Sequence, residues 1–147
     1  LRLNRFKNDN YEKFTIFEQP EKIDNTLRDF VSKIPDITCS KVSNTFGTTI
    51  LLDFGEKKEN GKYPFTIMIE SSIWSISNNT SQTTIQNLQN SKLVDIKLLP
   101  EKYESHLHFD NGVQIHTKPS GLNKSHWTLS LNGMHLTYGP KNILTQS

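Results

Sequence analysis

Apolar and polar residues alternate along most of this chain, most strictly between Ser105 and Tyr138. Trp127, Leu129 and Leu131 alternate with Thr128 and Ser130. Asn132-Gly133 follows, and Met134, Leu136 and Tyr138 then alternate with His135 and Thr137. A period of two is that of a strand buried on one face. Asn-Gly between two such runs signals a hairpin, because a type I′ turn needs positive φ at both central residues. A two-residue loop pairs Leu131 with Met134, Leu129 with Leu136 and Trp127 with Tyr138, so all six apolar side chains share a face. Upstream, two registers compete. A two-residue loop at Asn111-Gly112 pairs Leu107 with His116 and mixes the faces. A three-residue loop, Asp110-Asn111-Gly112 with a left-handed glycine, pairs Phe109 with Val113 and Leu107 with Ile115. It also gathers His106, His108, Gln114 and His116 on the opposite face. The second register is preferred, since a slip of one residue turns every side chain to the other face.

The rest of the chain reads as further strands and two helices. Lys13 to Glu18 is a short strand with Phe14 and Ile16 on one face. Pro20 to Ile34 carries Ile23, Leu27, Phe30, Val31 and Ile34 as one helical stripe, with Pro20 suited to the first turn and Pro35 to the stop. Strands are expected at 37–42, at 48–54 with Ile50, Leu52 and Phe54 inward, at 65–70, at 72–77 and at 94–99. A turn is expected at Ser43-Asn44 and Gly47, and a charged hairpin loop at Gly55 to Pro64. Residues 78–93 are polar, with a weak stripe of Ile85, Leu88 and Leu93, and read as a short second helix.

Three short matches suggest an internal repeat, about 13–77 and 72–138. Residues 32–37 (SKIPDI) match 91–96 (SKLVDI), Leu52-Asp53-Phe54 matches Leu107-His108-Phe109, and residues 72–76 (SIWSI) match 125–129 (SHWTL). The expected fold is therefore α+β: one domain over residues 1–147, an antiparallel β-sheet system with a pseudo-twofold repeat and two helices. Trp74 should superpose on Trp127.

Composition narrows the class. The chain has 147 residues, enough for one core, and is 33% hydrophobic and 22% charged with a net charge of +2. No apolar run is long enough to span a membrane, and no signal-peptide pattern is present. The first residue is Leu1 rather than Met, as it would be after removal of an upstream segment. The single Cys39 has no internal disulfide partner, which favours a reducing compartment, and it reads as a small buried hydrophobe. Acidic and basic residues are interleaved, and the one basic cluster is the N-terminal LRLNRFK, so nothing asks for nucleic acid.

The chemistry-bearing residues are the histidines, all five of which fall from His106 onward. In the chosen register His106 and His116 face each other across the hairpin, with His108 two residues along. Alternate residues share a face, so the three imidazoles form a candidate ligand-binding or zinc-like site, or an acid–base pair near neutral pH. The plainer reading is a solvated outer sheet face on which His is an ordinary polar residue. No acidic ligand stands at a diagnostic spacing, and no metalloprotease, P-loop, dinucleotide or nucleophile-elbow motif is present, so no enzyme and no cofactor are expected. The loop bearing Lys58 and Glu59 reads first as a plain solvated loop, and second as a surface for a partner to recognise.

The stretches LHFDNGVQIHTKPSGLNKSHWTLSLNGMHLTYGP and LLDFGEKKENGKYPFTIMIESSIWSI resemble small bacterial domains of unknown function. Those domains combine an aromatic strand, an acidic-Asn-Gly turn and a Trp strand. Similar domains occur among immunity partners of polymorphic toxins. The resemblance implies a cytoplasmic, non-enzymatic module that neutralises a cognate toxin by direct binding; the residue pattern itself offers His106, His108, His116, Lys58 and Glu59 as candidate contacts. It carries no catalytic residues. The near-neutral charge counts against a nuclease target, whose inhibitor would be acidic.

Overall fold

The computed structural model describes residues 14–45, 49–70, 72–77, 83–121, 124–139, 141 and 143–147. In chain order the elements are β1 (Thr15–Phe17), α1 (Pro20–Ser32), β2 (Cys39–Thr45), β3 (Thr49–Phe54), β4 (Phe65–Ile69), β5 (Ser72–Ser77), β6 (Leu93–Leu99), β7 (Glu104–Phe109), β8 (Gln114–Pro119), β9 (Trp127–Leu131), β10 (Met134–Tyr138) and β11 (Leu144–Gln146). They form a seven-stranded sheet, ordered β1-β11-β10-β9-β4-β3-β2, and a four-stranded sheet, ordered β5-β8-β7-β6. Every pairing is antiparallel.

Both hairpins take the register that burial requires. Leu131 pairs with Met134, Leu129 with Leu136 and Trp127 with Tyr138. Asn132 and Gly133 have φ of 48° and 88°, the type I′ geometry. In the upstream hairpin Phe109 N donates to Val113 O, Leu107 pairs with Ile115, and Gly112 is left-handed at 84°. The inward residues of both sheets merge with the stripe of α1, Ile23, Leu27 and Phe30, in a single core.

The connectivity crosses between the two sheets. β2-β3-β4 is a meander whose last strand pairs not with β5 but with β9. β6-β7-β8 is a second meander whose last strand pairs with β5. Leu52, Ile67 and Leu129 lie side by side in one sheet, and Leu107, Ile115 and Ile76 in the other. One step along, Ile69 pairs with Trp127, and Thr117 pairs with Trp74. The two tryptophans differ in burial: Trp127 is fully buried, Trp74 half-buried on an edge strand.

Several expectations are corrected. Phe14 and Ile16 share a face as expected, the exposed one at 59% and 58% exposure, while Phe17 packs on the core; the expected strand from Lys13 to Glu18 is shorter, Thr15–Phe17, with Lys13 outside the described residues. The helix stops at Ser32, because Lys33 and Ile34 turn back to the carbonyls of Phe30 and Val31 ahead of Pro35. The turn at Ser43-Asn44 is strand, since β2 stays paired with β3 to Thr45↔Thr49; Gly47 lies outside the described residues. The second helix is a single 3-10 turn, Ile85–Leu88. Its two buried residues are three apart, the 3-10 period, while Leu93 already belongs to β6; residues 78–82 lie outside the described part. One α-helix is therefore present among the described residues.

A polar network joins the sheets inside the core. Trp127 Nε1, from the large sheet, donates to Ser105 Oγ of the small one at 3.0 Å. Ser105 Oγ contacts Thr117 Oγ1 at 2.5 Å, and Thr117 Oγ1 lies 3.4 Å from His126 Nδ1. All four residues are buried, so these contacts satisfy groups that water cannot reach. Among the described residues no helix is long and apolar enough to cross a membrane.

Candidate functional site

The outward face of the small sheet carries the predicted histidines, because alternation on β7 and β8 sends Leu107, Phe109 and Ile115 inward and their neighbours outward. Two cross-strand rows cover it. One runs Lys97–His106–His116–Ser75 and the other Asp95–His108–Gln114–Ser77. The rings of His106 and His116 stack with centroids 4.3 Å apart and planes 11° apart, while His106 and His108 are 6.1 Å apart. His116 Nε2 lies 2.6 Å from Glu104 Oε1, which fixes that ring in place. Arg28 of α1 bonds Asp95 at 3.2 Å and ties the helix to the second row.

The electrostatics follow from this crowding. Partial burial, reinforced by the facing His116 and His108, holds His106 below the ordinary imidazole value. The hydrogen bond from His116 holds the Glu104 carboxyl below the usual carboxylate range. Near neutral pH the face therefore presents an uncharged imidazole at His106 beside an ionised Glu104 and the ammonium of Lys97.

The ring geometry does not converge on a metal ion. A zinc-like ion needs lone pairs that converge to about 2.0–2.1 Å from one point. Rings stacked almost parallel direct their in-plane lone pairs side by side, and the Nε2 of His116 is engaged by Glu104. Among the described residues no group of three or more His, Cys, Asp or Glu is placed to hold a metal ion.

Lys58 and Glu59 do not join the histidines. They lie in the β3–β4 loop, over the other sheet, where Lys58 Nζ donates to Asn132 Oδ1 at 2.7 Å and Glu59 is exposed. His126 and His135 are separated as well. His126 is buried between the sheets, its ring edge-on to Tyr138 with centroids 5.1 Å apart. His135 sits on the outward face of the large sheet, with its Nδ1 2.7 Å from Ser130 Oγ.

Sequence reasoning missed Glu104 and Lys97. The signal for Glu104 was present, since it stands two residues before His106 on one strand. Lys97 required the β6–β7 register, which a bulge between Leu93 and Asp95 shifts. The chain matches no family model, no curated protein and no solved structure.

Proposed function

We propose that this chain is a non-enzymatic protein-binding module, an immunity-type protein that neutralises a toxin in the cytoplasm by direct binding through the outward face of the small sheet. The observation that carries the reading is the preorganised row Lys97–His106–His116, with His116 held by Glu104 at 2.6 Å. Side chains already fixed in the free protein lose little entropy when a partner docks. Four strands at the usual spacing make a face roughly 19 Å wide, and six-residue strands make it about 20 Å long. That is about 400 Å² in projection, against the ~800 Å² per partner of an ordinary interface. Loops at its rim must supply the remainder.

The exchanged strands support a pseudo-twofold repeat beneath this module, with Trp74 and Trp127 at corresponding register positions and the 3-10 turn Ile85–Leu88 standing where α1 stands in the first unit. The reading has a direct test. The chain is co-expressed with the product of the neighbouring gene, and both growth rescue and complex formation are scored. Rescue and a co-purifying complex are expected, and the double variant His106→Ala, His116→Ala should weaken the complex at least about tenfold. Absence of both rescue and complex overturns the proposal.

A further inference from the structure

The outward face of the large sheet holds a second constellation, remote from the histidine rows. Lys41, Asp53, Thr66, Ser130 and His135 form one unbroken cross-strand row over five strands, β2-β3-β4-β9-β10. The β3–β4 loop folds over this row. It is pinned by Lys58 Nζ on Asn132 Oδ1 and by Asn132 N on Pro64 O, at 2.7 and 3.1 Å. Between loop and sheet lies a groove of about 440 Å³, to which the loop adds Lys57, Lys62 and Tyr63. That volume falls in the range of about 300–1,000 Å³ that suits small-molecule ligands.

Two features of the groove ask for a ligand. First, Asp53 is only 6% exposed although it points away from the core, and its carboxyl accepts no hydrogen bond from a described residue; Ser40 Oγ reaches only its backbone carbonyl. A buried carboxyl without a donor is costly, and the groove is where a donor can enter. Second, three ammonium groups (Lys41, Lys57 and Lys62) line the groove against this one carboxyl, and none of them makes an ion pair among the described residues. Burial raises the Asp53 pKa and the charges of Lys41 and Lys57 pull it back, so the acid and the lysines sense one another across the cavity. The site thus joins a hydrogen-bond acceptor at its floor to an excess of positive charge around it. Tyr63 adds an aromatic ring to its wall.

We propose that this groove binds a small ribonucleoside phosphate: its phosphate lies among Lys41, Lys57 and Lys62, its ribose hydroxyls donate to the Asp53 carboxyl, and its base rests against Tyr63. A free inorganic phosphate satisfies the lysines but leaves Asp53 unpaired. A neutral nucleoside does the reverse. The ligand class is set by the need to do both, as when a carboxylate recognises ribose hydroxyls in nucleotide sites. The proposal is independent of the histidine face.

The test is a titration of the full chain, followed by amide resonances and calorimetry, with adenosine 5′-monophosphate, its 2′,3′-dideoxy analogue, adenosine and inorganic phosphate. The monophosphate should bind with shifts centred on Asp53, Thr66, Ser130 and His135. The dideoxy analogue should bind about tenfold more weakly for want of the hydroxyls, and the double variant Lys41→Gln, Lys62→Gln at least tenfold more weakly. Asp53→Asn, nearly isosteric, should weaken the nucleotide without weakening inorganic phosphate. Equal affinity for the monophosphate and its dideoxy analogue overturns the proposal. So do shifts confined to other parts of the chain, or no shift at millimolar monophosphate.

Discussion

Ser105→Ala isolates the contact that locks the two sheets together. The Ser105 hydroxyl is fully buried, accepts from Trp127 Nε1 at 3.0 Å and bonds Thr117 Oγ1. Its removal strands the indole N–H inside the core, and the Thr117 hydroxyl keeps only the longer contact to His126. A buried donor left without a partner costs about 1–3 kcal/mol. With the weakened Thr117 the expected loss is about 2–3 kcal/mol, which for a domain of this size lowers Tm by roughly 5–10 °C. Urea unfolding, read by far-UV circular dichroism, measures it as a shift of midpoint at constant slope. Combining Ser105→Ala with Trp127→Phe closes a double-mutant cycle. Because the phenylalanine has no N–H to strand, the two changes should be less than additive by about 1 kcal/mol or more. A Ser105→Ala loss below about 0.5 kcal/mol, or strict additivity in the cycle, refutes the idea that this bond couples the sheets.

Stability should fall as pH drops from neutrality. Burial holds His126 below its free value of 6.5, with His106 shifted the same way by burial and its histidine neighbours. Well above 6.5 neither folded nor unfolded chain carries these protons. Below it the unfolded chain binds protons that the native state refuses, so the folded form loses ground until the native values are reached. Thermal melts at pH 7.5 and 5.5 check this, and an equal or higher Tm at 5.5 contradicts it. The buried Cys39 thiol, pushed up to about 11 chiefly by burial, should react with a disulfide reagent only as the chain opens. Rapid reaction of native protein, at the rate of a free thiol, would show that the β2 end of the core is not closed.

Local pattern carried much of the architecture. Asn132-Gly133 and Asp110-Asn111-Gly112 fixed both hairpins, because turn chemistry and alternation demanded the same register. From that register alone His106, His108 and His116 came out together. What stayed hidden was long-range. Nothing local announces that β4 takes β9 as its neighbour while β5 goes to β8, since either inward-facing strand satisfies the same burial. The second helix failed for a local reason: Ile85 and Leu88 make one turn, and the flanking Asn, Gln and Ser offer no further apolar contact to extend it. Asp53 was unreadable as a buried acid, because on β3 it alternates outward, and the contribution of Lys57, Lys62 and Tyr63 to the groove it lines is not visible in the local pattern.

The crossed pairing also dictates when this protein can become native on the ribosome. While β9 is still inside the exit tunnel, β4 has one naked edge and the large sheet is missing its middle. The first half cannot settle as an independent unit ahead of the second. Its closing contacts join residues as distant as Thr15 and Gln146, so assembly waits for the C-terminal strands and should be slow for the chain's length. Severing the chain between β5 and β6 would leave each fragment short of the strand that the other supplies.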